Sequence, residues 1–224
     1  METLLERGLR AVGIEEKKIP SAAGKLEKYI NQIITTNAAY NITNTSDHDE
    51  LVTRHILDSL AAYIPLRNFV QTLPAAANSD FSSIAIGDIG SGGGLPGIPL
   101  SVVFPEISFT LVERMEKRCA FLEKCKSVLC LSNVTVLKEQ AEFVTPKSFD
   151  VVTFRAFRPL DLKMTKKLLR LRKDGGILAA YKAKMENITA EMDGIKKLVP
   201  EYKVIELHVP GLEDSERNLV LVQS

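Results

Sequence analysis

Asp88, Gly90, Gly92, Gly94 and Leu95 lie in the run Ile86-Gly87-Asp88-Ile89-Gly90-Ser91-Gly92-Gly93-Gly94-Leu95-Pro96-Gly97, the stretch with the most evident chemistry in this chain. The apolar tetrad Ser83-Ile84-Ala85-Ile86 leads into it as a strand. Alternate glycines then let bare backbone approach a ligand, because glycine has no Cβ and tolerates positive φ. Pro96 can open a helix whose unpaired N–H groups and positive dipole end favour a negatively charged moiety. The expectation is a nucleotide-like cofactor.

Two cofactors compete for such a turn. The dinucleotide fingerprint falls on Gly92, Gly94 and Gly97, but it then begins four residues after Asp88, late for the end of the strand. Counted from the strand end, the run reads Asp88-x-Gly90-x-Gly92-x-Gly94, and Leu95 disturbs the third glycine position. Asp88 would repel a pyrophosphate, whereas it suits the ammonium of S-adenosylmethionine, which has a cationic sulfur and no phosphate. Glu113 ends the apolar strand Phe109–Glu113, about 20 residues beyond the glycines, where a carboxylate accepts both ribose hydroxyls of an adenosine. NAD enzymes use the same device, and Glu113 fits equally an N-cap for a helix at Met115. Ala141 and Glu142 follow the strand Val134–Leu137, at the sheet edge that meets an adenine. Glu142 is equally compatible with a solvated surface position.

The expected fourth strand, Val151–Arg155, carries Arg155 to the cofactor's reactive end, because ligands of open α/β sheets sit at the carboxyl ends of the strands. It runs on as Phe154-Arg155-Ala156-Phe157-Arg158-Pro159. An Asn/Asp-Pro-Pro-aromatic tetrad, which serves amine methylation, is missing there, and so is a Pro-Cys nucleophile for attack on pyrimidine carbon. What remains is a substrate atom that is nucleophilic while neutral. Guanine N7 fits, since Arg155 as the catalytic residue can hydrogen-bond O6 while N7 stays free. Catalysis then reduces to in-line placement. The plain alternative for Arg155 is an ion pair with a sheet-edge carboxylate.

These residues need elements to hold them. Leu26, Tyr29, Ile30, Ile33 and Ile34 follow helical spacing, with Ser21 as the expected cap and Asn37 as the end. A second helix is expected from about Asp47, where Ser46 and Asp49 resemble a capping box. Its apolar face holds Val52, His55, Ile56, Ser59, Leu60 and Tyr63. On that face His55 and Ser59 are expected to be buried against the core, with His55 a satisfied core histidine; the functional alternative has His55 facing substrate and Asp58 and Ser59 bordering the pocket mouth. After residue 80, expected strands Ile84–Asp88, Ser108–Glu113, Val134–Leu137, Val151–Arg155, Ile177–Tyr181, Tyr202–Val209 and Leu219–Val222 alternate with helices, notably Met115–Leu131 and Leu160–Arg172. That alternation predicts a doubly wound, mostly parallel α/β sheet, with the last two strands as an antiparallel hairpin at its edge. Lys163, Lys166, Lys167, Arg170, Arg172 and Lys173 read more readily as a solvated face than as an RNA-facing stripe.

Composition narrows the classes. The chain has 224 residues, 45% hydrophobic and 25% charged, as in an ordinary globular protein. Lys+Arg 29 against Asp+Glu 28 gives a net charge of +1, so any nucleic-acid surface must be local. Residues 1–7 are too charged for a signal peptide and no apolar run approaches a bilayer span, so the expectation is a cytoplasmic chain with no membrane partner. Cys119, Cys125 and Cys130 match no metal or redox spacing and are expected as buried thiols in one helix, with no metal.

Asn41-Ile42-Thr43, His55-Ile56-Leu57-Asp58-Ser59-Leu60 and the Asp88–Leu100 run, continued by Phe149-Asp150, Arg155-Ala156 and Glu216-Arg217-Asn218-Leu219-Val220, closely resemble the bacterial small-subunit rRNA methyltransferase G family, also called glucose-inhibited division protein B. The match covers nearly the whole chain, and the pairing of His-x-x-Asp-Ser-Leu with the Gly-Leu-Pro-Gly turn is far more specific than a glycine motif alone. The resemblance implies a Rossmann-like class I methyltransferase fold. Residues 1–80 would form an N-terminal helical region packed on a methyltransferase domain, residues 81–224. It implies methyl transfer from S-adenosylmethionine to N7 of a guanosine in 16S rRNA, free or in a small ribosomal subunit particle. Gly90, Leu95, Ala141, Glu142 and Arg155 fall on the family's cofactor positions, and Lys117, Lys182 and Arg217 on basic positions suited to RNA phosphates. Gln140, Ala183 and Asn218 stand where the family commonly has Arg, Gly and His, which puts one RNA-phosphate contact in doubt. Two other readings stay open: an NAD-dependent oxidoreductase, disfavoured by Leu95, and a non-catalytic RNA-binding protein that retains the fold.

Overall fold

A computed structural model describes residues 2–155 and 160–223; Ala156, Phe157, Arg158 and Pro159 of the expected substrate-side stretch lie outside the described residues.

The chain begins with α1 (Leu4–Ala11), closed at its start by a reciprocal Thr3–Glu6 capping box. In α2 (Ile19–Asn37), Pro20 takes the first turn and Ser21 makes no cap. Proline suits that position because its missing N–H would have no helical partner there. Asn37 ends the helix as expected, and its side chain folds the next loop back by accepting from Ile42 N–H at 2.8 Å and donating to the Thr45 carbonyl at 2.8 Å. Asp47, rather than the Ser46–Asp49 pair, caps α3 (His48–Leu51) through the Glu50 N–H. A π-helical turn, Val52–Leu57, joins α3 to α4 (Asp58–Leu60), and α5 (Tyr63–Thr72) and α6 (Pro74–Ala77) follow.

Strands and helices then alternate: β1 (Ala85–Ile89), α7 (Gly97–Val103), β2 (Ser108–Glu113), α8 (Glu116–Val128), β3 (Val134–Lys138), β4 (Phe149–Phe154), α9 (Leu162–Leu171), β5 (Arg172–Lys182), α10 (Met185–Ile195), β6 (Lys203–Glu206) and β7 (Asn218–Val222). They make a seven-stranded sheet in the order β3-β2-β1-β4-β5-β7-β6. The first five strands pair in parallel, and β7 runs antiparallel to both its neighbours. The expected terminal hairpin forms, but β7 inserts between β5 and β6, which leaves β6 at the edge. β6 also stops at Glu206, short of the expected Val209. β5 starts directly at Arg172, the residue at which the helix is expected to end, rather than at the expected Ile177. Gly175 takes φ 78 within the first half of β5, and the pairing with β4 shifts register between Phe149 and Val151. Cys119 and Cys125 are buried, whereas Cys130 lies past the end of α8 and is exposed.

One continuous apolar cluster joins the N-terminal helices to the sheet, through Leu26, Tyr29, Ile56, Leu60, Ile86, Ile98 and Leu111 among others. A second covers the opposite face, where α9 and α10 pack on β4, β5 and β7. No helix among the described residues is long and apolar enough to cross a membrane.

Candidate active site

Parallel register brings the carboxyl ends of β3, β2, β1, β4 and β5 to one edge of the sheet, with Glu113 paired to Lys138 and Phe154 to Ala180. Along that edge stand Gln140, Glu113, Gly90, Arg155 and Lys182, in the spatial order of their strands. The edge carries two clefts.

The glycine turn is held from inside by Asp88. Its Oδ2 accepts from the Ser91 hydroxyl at 2.7 Å and from the Gly97 N–H at 2.9 Å. The N-terminus of α7, expected to face a ligand, is therefore spent on Asp88. A Cβ on Gly97 would lie 2.6 Å from that same Oδ2 and 2.3 Å from Leu111 Cδ2, so only glycine fits there. Asp88 is 1% exposed, its Oδ1 has no protein partner, and burial pushes its carboxyl up to about 6 despite the two donors. Glu113 ties the other side of the turn. Its Oε2 accepts from Gly92 N–H at 3.0 Å, and Oε1 accepts from Arg114 and Met115 N–H at 2.8 and 2.9 Å. It is thus no N-cap of α8, which starts at Glu116 without a side-chain cap.

The first cleft, about 330 Å³, opens over the ends of β1 to β3, with Ile89, Gly90, Val112, Glu113, Ala141 and Glu142 on its wall. Gly90 takes φ 71, so its backbone faces the cleft in a conformation that leaves no side chain in the way. Glu142 is held by Lys167, which also keeps its carboxyl below the ordinary range. Arg170, from the same helix, donates through one terminal nitrogen to the carbonyls of Ala141, Glu142 and Val144 at 3.1, 2.8 and 2.8 Å. The basic run of α9 is therefore half committed to bracing this wall, which sequence reasoning missed because the partners lie more than two dozen residues away. Lys173 is likewise paired, with Asp150 at 2.7 Å.

The second cleft, about 550 Å³, adjoins β4 and β5 and is walled by His55, Asp58, Arg155, Tyr181, Lys182 and Arg217. Arg155 does make an ion pair, but with a helix rather than a sheet edge. Its Nη1 lies 2.6 Å from Asp58 Oδ2, and its Nη2 3.2 Å from His55 Nδ1. Arg217 Nε donates to Asp58 Oδ1 at 3.0 Å. One carboxylate from α4 thus holds two guanidiniums, from the end of β4 and from the β6–β7 loop. Lys182 reaches Glu191 at 2.5 Å. His55 is not a satisfied core histidine: its Nε2 is buried without a partner, and burial with the adjacent Arg155 charge pulls its pKa to about 4.

Several expected positions fall elsewhere. Ser59 is fully buried, donating to the His55 carbonyl at 2.6 Å, and does not border the pocket mouth. The apolar face expected from helical spacing continues through the π-helical turn, with Val52, Ile56, Ser59, Leu60 and Tyr63 all buried. Leu95 packs into the apolar core at 9% exposure, and Gly94 sits against Ile98 and Leu122, so neither stands on the cleft wall. Gly92 contributes its N–H to Glu113. Lys117 is exposed over the Tyr40 ring, 5.4 Å from its centroid, away from both clefts. Gln140 lies on the first cleft's wall. Ala183 and Asn218 touch each other, the Asn218 amide donating to the Ala183 carbonyl at 2.6 Å. Among the described residues no cluster of His, Cys, Asp or Glu could hold a metal ion.

A parallel sheet with one reversed strand next to its edge, and a glycine turn braced by a strand-end carboxylate, define a class I methyltransferase. Solved methyltransferases share the fold: a tRNA methyltransferase from Aquifex aeolicus superposes with TM-score 0.53 at 14% identity, over 74% of this chain and 68% of that one. An O-methyltransferase from Thermotoga maritima gives 0.51 at 15% identity, over 73% and 64%. Sequence likeness goes further. The ribosomal RNA small subunit methyltransferase G of Treponema denticola is 35% identical over 238 residues, 98% of this chain and 93% of that protein. Its Escherichia coli counterpart is 36% identical over 206 residues, 89% and 88% of the two chains. The profile of rRNA small subunit methyltransferase G matches residues 22–220. The chain belongs to that family.

S-adenosylmethionine is the cofactor of this class, and the first cleft fits it. Asp88 is not on the cleft wall, but its buried Oδ1 beneath the glycine turn is an acceptor without a protein partner, of the charge an ammonium needs. Gly90 offers bare backbone, and Ile89, Val112, Met115 and Met164 supply apolar surface for a purine next to the Glu113 carboxylate.

Proposed function

We propose that the chain transfers a methyl group from S-adenosylmethionine to N7 of a guanosine in 16S rRNA, within the cytoplasm where small ribosomal subunits are made, by placement and without a general base. One observation carries this reading: beside the cofactor cleft stands a second cleft whose central donor, Arg155, is locked in orientation by Asp58 and His55. The locked guanidinium can hold guanine O6, the edge arginine commonly reads, which leaves the neighbouring N7 lone pair facing the first cleft.

When bound, S-adenosylmethionine supplies a methyl group on a cationic sulfur, which N7 can attack with no proton removed. Asp88 would hold the ammonium through Oδ1, Glu113 the ribose hydroxyls, and the backbone of Gly90 the methionine moiety. Ala141 and Glu142 would meet the adenine. Gly92 and Gly94 shape the turn rather than touch the ligand. His55 acts through Arg155: its Nδ1 accepts from the guanidinium, which leaves that imidazole nitrogen no free lone pair. Lys182 and Arg217 face the second cleft and suit an RNA phosphate; Lys117 is proposed as a more distant phosphate contact. Holding reactants in line supplies several kcal/mol of rate enhancement by itself.

Arg155→Ala tests the reading. Methyl incorporation into small-subunit rRNA should fall by about a hundredfold or more, the scale of losing a fixed catalytic donor. Binding of S-adenosylhomocysteine, followed by thermal shift, should persist. Undiminished methylation would remove Arg155 from the mechanism. Preferential stabilisation by NAD would favour an oxidoreductase instead.

A further inference from the structure

We infer that Asp58 reads the Watson–Crick edge of the target guanine, accepting hydrogen bonds from N1–H and the N2 amino group while Arg155 donates to O6. The inference rests on the guanine-N7 reading above and adds to it the group that sets base identity.

Geometry supplies the argument. Asp58 and Arg155 stand 2.6 Å apart, oxygen to nitrogen, with side chains 11% and 13% exposed on the wall of one cleft. Side by side they present donors next to acceptors. Guanine presents the complement on adjacent ring positions, an O6 acceptor followed by the N1–H and N2–H donors. Adenine inverts both of the first two positions, with an amino group at C6 and a lone pair at N1. Uracil matches those two positions but has no amino group at the third and no N7 to methylate. A carboxylate offers about four acceptor sites; Arg155 and Arg217 take one oxygen each, so acceptor capacity remains on both oxygens. Guanidinium clamping on either side holds that carboxylate in one orientation, which is what recognition by a buried group requires.

Charge makes the same residue useful in the chemical step. Methyl transfer moves a positive charge from sulfur onto the purine: the N7–C bond forms from the N7 lone pair as the S–C bond breaks, and the sulfur leaves neutral. The purine becomes cationic beside Arg155 and Arg217, which would repel it. Asp58 lies between the two guanidiniums. As N7 gains charge the N1–H becomes more acidic, so its hydrogen bond to Asp58 strengthens towards the transition state. An interaction that strengthens in this way raises kcat rather than lowering KM alone.

The test uses the full-length enzyme and small-subunit RNA whose methylated guanosine has been mapped. Asp58→Asn keeps one acceptor for Arg155. It should lower kcat at least about tenfold, the scale of a lost charge-assisted hydrogen bond, while the affinity for S-adenosylhomocysteine is kept. Inosine at the mapped position, which lacks only the N2 amino group, should slow the wild type by about tenfold on the same ground. The variant should methylate guanosine and inosine at nearly equal rates. Equal rates on the two bases by the wild type would overturn the inference, whatever the variant's stability. So would a variant that keeps the wild-type preference for guanosine. Absence of any methylated guanosine would instead fail the underlying reading.

Discussion

Asp88 and His55 show how burial turns ordinary residues into pH-dependent ones, in opposite senses. Burial raises the Asp88 carboxyl to about 6. Folding therefore favours its protonated form, a contribution present below the ordinary carboxylate range and lost as pH rises through about 6. An ammonium needs the charged form. The affinity for S-adenosylmethionine should therefore weaken as pH falls below about 6, approaching tenfold per pH unit, and Asp88→Asn should flatten that profile at a lower affinity. Isothermal titration between pH 8 and 5 decides it, and a flat wild-type profile would separate Asp88 from the ammonium. His55 is the reverse case. Its pKa falls to about 4 through burial and then the Arg155 charge, so the folded state resists a proton that the unfolded chain accepts near 6.5. Its linked loss of stability sets in as pH drops through 6.5 and levels off near 4. His55→Gln should gain on the wild type across that window by roughly 1–2 kcal/mol, a figure reduced for the ring's partial exposure. Melting temperatures at pH 7 and 4.5 measure the change, and an unchanged gap would mean that His55 is charged in the fold.

At the scale of elements, the parallel strands were legible because their apolar runs end in charged or glycine residues at regular spacing. Asp88, Glu113 and Arg155 could be placed at one sheet edge for the same reason. The insertion of β7 between β5 and β6 was not legible, since a hairpin's sequence does not say which strand faces the sheet. Nor was the second cleft's central assembly: Asp58 pairs with Arg155 and Arg217 across separations of 97 and 159 residues. Local periodicity places Ser59 on the buried apolar face, where it lies; its reading as a border of the pocket mouth is the one that fails. Asp88 and Glu113 were readable as carboxylates, yet much of their bonding serves the turn itself. Packing of helix on turn is equally non-local. The Tyr29 hydroxyl of α2 donates to the Gly93 carbonyl, and Ile42 fills the space where a Gly93 Cβ would be, 2.7 Å from its Cγ2. Tyr29→Phe should cost about 1 kcal/mol and loosen the turn. A severalfold weaker affinity for S-adenosylhomocysteine is expected with little change in kcat at saturation. A variant with undiminished affinity would show that α2 supports the fold without positioning the cofactor turn.

Across the whole molecule, the N-terminal helices build the site as much as the sheet does. Asp58 and His55 wall the second cleft, Tyr29 holds the glycine turn, and the Tyr181 hydroxyl of β5 donates to the Ser59 carbonyl at 2.7 Å. Apolar packing crosses the same boundary, with Tyr63 against Phe104 at 4.9 Å between ring centroids and Tyr29 against Phe121 at 6.5 Å. A sheet face covered this way exposes its apolar side chains if the helices are removed, and buried apolar surface is the main favourable term in folding. Residues 81–224 expressed alone should therefore fail to form a cofactor-binding protein. The full chain should melt in one transition, with calorimetric and van't Hoff enthalpies in agreement. S-adenosylhomocysteine should move that whole transition upward by mass action, by about 2.7 kcal/mol at a hundred times its dissociation constant. Two separated peaks, with the ligand shifting only one, would make the helices an independent body and detach Asp58 from the stability of the cofactor site.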